Sequence, residues 1–153
     1  MNIRDIKWVV KSFNELTSRE LYKILHVRQE VFVLELQGYY QDIDYQDQKA
    51  LHLLGFVKTE LVAYTRIFPQ NIIFSKSASF GRFLVVKEYR KEGVGHELME
   101  QTFQVVEGLL EANASEIEAQ RDLKGFYEKY GFIMTGNSFI NAGIPHIIMK
   151  KDL

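Results

Sequence analysis

The stretch from residue 80 to residue 109 constrains this chain more than any other, because an apolar run, a charged glycine-containing turn and a long periodic segment follow one another without interruption. Phe80-Gly81-Arg82-Phe83-Leu84-Val85-Val86 has the pattern of a buried strand. Val94, Leu98, Val105, Val106 and Leu109 then hold one apolar face through about four helical turns, predicting a helix that ends near Asn113. At the join stand Arg90-Lys91-Glu92-Gly93-Val94-Gly95. The N–H groups that open a helix lack intrahelical partners, and the macrodipole adds positive potential, so such a join seats a phosphate. Gly93 and Gly95 allow turn conformations and close approach that a Cβ would hinder, while Arg90 and Lys91 add charge. The structural alternative is a glycine that merely enters the helix beside a solvated charged turn. A P-loop is excluded because Gly-Lys-Ser/Thr is absent, and a dinucleotide fingerprint would want a small residue where Leu98 stands.

The rest of the chain alternates strand and helix signals around this unit. Trp8-Val9-Val10 reads as a first strand, and Thr17-Ser18-Arg19-Glu20 as a capping box opening an amphipathic helix with Leu21, Ile24, Leu25, Val31 and Phe32 on its apolar face. Arg28 interrupts that face and needs an acidic or carbonyl partner. Residues 37–48, rich in Gln, Asp and Tyr, suit an ordered surface loop. Leu51 to Val57 and Leu61 to Phe68 flank Lys58-Thr59-Glu60 at hairpin spacing. Ser115 to Gln120 reads as a strand with Ile117 and Ala119 on one face and Glu116, Glu118 and Gln120 on the other. A brief helix from Leu123 to Tyr130 stops at Gly131, and Phe132 to Met134 and Pro145 to Met149 close the chain as a strand pair across Asn141-Ala142-Gly143.

With 153 residues and 46% hydrophobic content, the expectation is one domain spanning residues 1–153. A net charge of −1 gives no general attraction to nucleic acid or to an anionic membrane, and no segment approaches a bilayer-spanning apolar run. The absence of cysteine excludes disulfides, thiolate metal ligation and a cysteine nucleophile, and fits a cytoplasmic location. The four histidines, His26, His52, His96 and His146, share no close metal-ligand spacing, so no metal is expected.

Arg-x-x-Gly-x-Gly after a hydrophobic strand resembles the acyl-CoA pyrophosphate motif of the GNAT N-acetyltransferase superfamily, and Phe126-Tyr127-Glu128-Lys129-Tyr130-Gly131-Phe132 resembles its second signature. Tyr40-Gln-Asp-Ile-Asp44, His52-Leu-Leu-Gly55, Leu61-Val-Ala-Tyr64, Arg66-Ile67 and Gly143-Ile-Pro-His146 are similar to the ElaA-like subgroup, although Leu36 follows Glu35 where that subgroup usually has glutamine. The resemblance implies an α+β fold: a mixed, mostly antiparallel sheet of about seven strands, helices on both faces, and a cofactor entering where central strands diverge. It also implies an enzyme that passes an acetyl group from acetyl-CoA to an amine by direct attack on the thioester, without a metal.

By the same resemblance, residues 90 to 96, from Arg90 through Lys91, Glu92, Gly93, Val94 and Gly95 to His96, hold the pyrophosphate. Leu84, Val85 and Val86 offer backbone groups to pantetheine, with Val85 as oxyanion donor, Phe126 belongs to the cofactor site, and Tyr127 donates a proton to the departing sulfur. Read in isolation, Tyr127 is a buried aromatic with any partner for its hydroxyl. Glu35, His52, Glu118 and His146 compete for the general base, His146 and Glu118 ranking first, against the common role of a histidine as a hydrogen-bonded structural residue. Arg66 and Arg82 either recognise an acceptor carboxylate or fix Asp42 and Asp44, ion pairing being the simpler role. Tyr39, Tyr40 and Tyr45 either wall an acceptor pocket, cover the core or make a homodimer contact. Two rival functions stand beside the enzyme: an acyl-CoA sensor without turnover, and an interaction module using the Tyr39–Tyr45 loop.

Overall fold

The computed structural model describes residues 5–153. Among these described residues, eight strands form two four-stranded sheets rather than one sheet of about seven. The first is antiparallel in the order β1 (Lys7–Ser12), β2 (Leu51–Val57), β3 (Glu60–Phe68), β4 (Ser79–Val85). In the second, β8 (Ile144–Asp152) pairs with β5 (Ala114–Gln120) on one side and with β6 (Ile133–Met134) and β7 (Phe139–Asn141) on the other. The sequence signals omit β7, because three residues are too few to show a period. Ala142 (φ 52°) and Gly143 (φ 76°) turn β7 into β8 with both central residues left-handed, the geometry that matches the twist of a tight hairpin.

Three α-helices among the described residues cover the sheets: α1 (Ser18–Arg28), α2 (Val94–Phe103) and α3 (Lys124–Glu128). The Thr17 hydroxyl accepts the Glu20 N–H at 3.1 Å and the Glu20 carboxylate accepts the Thr17 N–H at 2.9 Å, so α1 opens with the expected reciprocal cap. Both α1 and α2 end in a wider π turn, Gln29–Glu35 and Gln104–Leu109, closed by Leu36 N–H to Val31 O and Leu110 N–H to Val105 O. That widening breaks the 3.6-residue period, which is why Leu109 is 62% exposed instead of continuing the buried face of Val94, Leu98, Val105 and Val106. Every residue from Leu61 to Phe68 in β3 is buried, which requires cover on both faces; α1 and α2 both pack against this strand.

Arg28 finds its acidic partners in the 37–48 loop. Its Nε donates to Asp42 at 2.8 Å and its Nη1 to Asp47 at 2.6 Å, while Nη2 reaches the Asp42 carbonyl at 2.9 Å. Arg66 clasps both oxygens of Asp44 at 2.8 Å, and Arg82 donates to Asp42 at 2.7 Å. Three arginines and three aspartates thus tie α1, β3 and β4 to the loop, which settles the choice for Arg66 and Arg82 in favour of ion pairing. Burial alone would raise the Asp44 carboxyl, but the hydrogen bonds and charge of Arg66 outweigh it and hold the group down at about 2.

Arg28→Ala leaves two buried carboxylates short of a partner and is expected to cost about 3–5 kcal/mol in urea unfolding, whereas a surface change such as Arg19→Ala stays within about 0.5 kcal/mol. Because Asp44 is depressed in the folded state, its contribution of about 2 kcal/mol is complete above pH ~4 and is lost as pH falls toward 2. Asp44→Asn should flatten that part of the acid limb in a stability-versus-pH series.

Candidate active site

Among the described residues one backbone bridge joins the two sheets. Ala78 and Ser115 form a parallel bridge, with Ala78 N–H to Ala114 O at 3.0 Å and Glu116 N–H to Ala78 O at 2.9 Å. Beyond it β4 and β5 run side by side without further pairing among the described residues and diverge, which opens a cleft of about 470 Å³. This is the divergence of central strands that the sequence reading expected.

A bulge aims the β4 edge. Ala63 faces Val85 and Tyr64 faces Leu84, but Arg66 faces Gly81, so β4 carries one extra residue there. Arg82 sits in the bulge with φ 49°, a left-handed conformation unfavourable for a side-chain-bearing residue. Its guanidinium on Asp42 and the Thr65 hydroxyl on Gly81 O at 2.9 Å hold it there. Past the bulge, Val86 N–H donates to Val62 O at 2.9 Å, so by antiparallel alternation Leu84 also points its backbone groups at β3 and Val85 points its own away, toward the gap. Of Leu84, Val85 and Val86, only Val85 therefore has outward main-chain groups. Its carbonyl accepts Arg90 Nε at 2.8 Å, which fixes the Val85–Val86 peptide, while its N–H, in the preceding Leu84–Val85 peptide, faces outward.

The glycine turn lies beside this edge. Gly93 caps α2 in the left-handed region at φ 81°, and Lys91 is left-handed at 66°. A Cβ on Gly95 would meet only Val85 Cγ2, at 4.0 Å, so the space over the first turn of α2 is open next to Val85. Val94 is buried and anchors the turn to the core. Arg90 is not a free cation: besides Val85 O, it holds Glu35 with Nη2 to Oε1 at 2.9 Å. Its hydrogen bonds to Glu35 drive that carboxyl below its ordinary range, which removes Glu35 from the candidate bases. His96 bonds the Tyr130 hydroxyl at 3.0 Å and pairs with Glu100, linking α2 to Tyr130, just past the end of α3. Phe126 packs edge-on against Tyr130 at 5.5 Å and against Tyr127 at 5.2 Å.

Tyr127, Glu118 and His146 all line the cleft. Tyr127 is 8% exposed among Phe80, Phe126 and Phe132, and its hydroxyl makes no hydrogen bond to any described residue. Burial pushes it up to about 12, so it keeps its proton across the physiological range. Register locates the other two. His146 opposes Gln120 and Ile148 opposes Glu118, so Glu118 and His146 are diagonal neighbours on one face of the second sheet, while Ile117, Ala119, Ile147 and Met149 face the core with Tyr127. The gap consequently has Tyr127 on one side of the sheet and the Glu118–His146 pair on the other. His146 Nδ1 donates to Ile144 O at 2.8 Å and its ring stacks on Phe139, so the neutral imidazole has its lone pair on Nε2.

His52 is fully buried between the Tyr64 hydroxyl at 2.7 Å and the Asp47 carbonyl at 2.9 Å, and burial lowers its pKa; it is a structural residue of the loop anchor, outside the cleft. Two contributors escaped the sequence reading. The Arg90–Glu35 pair joins residues 55 apart and leaves no local trace. The β4 bulge does leave one, since Gly81-Arg82 interrupts an apolar strand as bulges commonly do.

Residues 16–153 match the family model described as an acetyltransferase (GNAT) domain. Protein ElaA of Escherichia coli K12 is 35% identical over 150 residues, 97% of each chain, and its crystal structure superposes with a TM-score of 0.86 over 96% of this chain and 99% of that one. An acyl-CoA N-acyltransferase from Pseudomonas aeruginosa has a TM-score of 0.88 at 33% identity, covering 95% of this chain and 99% of its own. PaiA N-acetyltransferase from Thermoplasma acidophilum, solved with coenzyme A, shares the fold at 16% identity, with a TM-score of 0.67 over 96% and 99% of the two chains. Among the described residues no helix is long and apolar enough to cross a membrane.

Gly95→Ala separates a packing role from a binding one. The methyl has room, and alanine favours a helix over glycine by up to about 1 kcal/mol, so the melting temperature should hold or rise. Coenzyme A binding, measured by calorimetry, should weaken by roughly tenfold because the methyl occupies the space in front of the first-turn N–H groups.

Proposed function

Because this chain belongs to the GNAT acetyltransferase family, we propose that it carries an acetyl group from acetyl-CoA to an amine by direct attack of the amine on the thioester. The observation that carries this reading is the gap through the sheet, with the free Tyr127 phenol on one side and the His146 imidazole on the other. In a direct transfer the amine adds to one face of the thioester carbonyl and the sulfur leaves from the tetrahedral intermediate, so the group that takes the amine proton and the group that meets the sulfur are served by separate side chains.

The diphosphate of the donor rests on the N–H groups at the start of α2, and pantetheine runs along the outward edge of β4 past Gly95 and Val85. Attack forms the C–N bond and places negative charge on the former carbonyl oxygen. The Val85 N–H faces that position, and with Leu84 paired to β3 on one side and Arg90 on the Val85 carbonyl on the other, the donor needs little reorganisation as charge develops. His146 takes the ammonium proton through Nε2, directly or by one water. Collapse breaks the C–S bond, and CoA leaves on the Tyr127 side. A phenol at about 12 lies above the 8–9 of a thiol, so Tyr127 stabilises the departing sulfur chiefly by donating a hydrogen bond, and solvent completes the protonation.

Tyr127→Phe should keep the fold and acetyl-CoA affinity while lowering kcat by about 10- to 100-fold, read as acceptor-dependent thiol release corrected for hydrolysis. Unchanged turnover would remove Tyr127 from the mechanism. Tight acetyl-CoA binding with no acceptor-dependent release in the wild type would favour a sensor instead. The wild-type rate should show no basic limb from Tyr127 below about pH 10, because its proton is held beyond that range.

A further inference from the structure

The charges around the cleft specify the acceptor, an inference that rests on the transferase reading above. Five side chains able to carry charge line it: Asp44, Arg66, Arg82, Glu118 and His146. Arg66 spends Nη1 on Asp44 and Asp47 and Nη2 on Asp44, and its remaining Nε is sealed from solvent. Arg82 spends Nε on Asp42 and Nη2 on the Asp42 carbonyl, at 2.7 and 3.1 Å. Both guanidinium charges are already balanced by aspartates, and only Arg82 Nη1 keeps N–H groups that no described residue engages on the cleft side. Together with Arg28 and Asp47 this cluster sums to zero charge, so its field at the cleft is that of a neutral body.

Glu118 stands outside the balance. It is exposed in the cleft and makes no hydrogen bond or ion pair with any described residue. His146, the only other group there that could carry positive charge without an aspartate partner, must be neutral to accept a proton. The net electrostatic character of the acceptor side is therefore one unpaired carboxylate. The remaining lining supplies apolar and aromatic surface from Phe32, Tyr40, Phe68, Phe83 and Leu123.

We propose that the acceptor is a cationic amine with an aromatic or apolar body and no carboxylate near the reacting nitrogen, and that Glu118 is the residue that selects it. An ammonium group gains from the Glu118 charge, and an apolar or aromatic body from the surface of Phe32, Phe83 and Leu123. A carboxylate beside the amine meets repulsion from Glu118 and finds no guanidinium whose charge is not already balanced by an aspartate, so free α-amino acids are poor acceptors and their decarboxylated or amidated counterparts good ones.

The test uses matched probes: phenylalanine, phenylalanine amide and 2-phenylethylamine, compared by kcat/KM with acetyl-CoA and by calorimetric binding to the CoA-loaded protein. The amide and the amine should exceed phenylalanine by at least tenfold in both measurements. Glu118→Gln should raise KM for the two cationic acceptors about tenfold, leave kcat within a few-fold, and lift phenylalanine toward them. Equal use of phenylalanine would overturn the proposal while leaving the transferase reading intact. A Glu118→Gln variant whose kcat collapses for every acceptor would also overturn it, assigning Glu118 to proton transfer. Selective binding of the cationic probes without any turnover would sustain the charge argument and sink the transferase reading, so the two failures are distinguishable.

Discussion

Arg28 carries a full positive charge with no exposed surface, in the middle of what would otherwise be the apolar face of α1. Such a charge is tolerable only when its desolvation is repaid by geometry, and here every guanidinium nitrogen has an oxygen within 2.9 Å. The partners come from the loop between α1 and β2, and the same aspartates also engage Arg66 on β3 and Arg82 on β4. Removing any member exposes the others to an unbalanced burial, so the loop is fixed by charge satisfaction rather than by apolar contact. His52 and Tyr64 extend the anchor by hydrogen-bonding the Asp47 backbone and each other.

That network reaches the chemistry through Arg82. A left-handed arginine inside a strand is a local cost, and Asp42 offsets it by holding the guanidinium that the bulge projects. The bulge decides which backbone groups of β4 face β3 and which face the gap, so an ion cluster centred on α1 helps to aim the Val85 N–H. Arg90 completes the arrangement from the other direction, clamping the Val85 carbonyl while Glu35, at the end of the π turn after α1, holds Arg90. The acceptor side then inherits its character by subtraction: the arginine charges there are balanced by aspartates, and Glu118 remains as the unpaired charge.

Much of the fold was legible because it is local. The capping box at Thr17, the hairpin around Lys58, the αL stop at Gly131 and the alternation of Ser115 to Gln120 each depend on residues within one or two turns of one another, and all appear as read. The glycine turn before α2 was legible for the same reason. The π turn was not, since nothing in the spacing of Val105, Val106 and Leu109 distinguishes a 3.6-residue turn from a wider one, and Leu109 was consequently placed on the wrong side. The splitting of the strands into two sheets was equally hidden, because it follows from where pairing stops.

By itself the sequence determined the order of elements, the helix start that can seat a diphosphate, and the set of side chains able to donate or accept protons; these follow from period, turn chemistry and residue type. Only the tertiary structure decided that Arg66, Arg82 and Arg90 are already engaged, that His52 and Glu35 stand out of contention, and that Tyr127 and the Glu118–His146 pair flank one opening. Those outcomes depend on contacts between residues tens of positions apart, and a chain's linear pattern carries no record of which distant charges will meet once the core has closed.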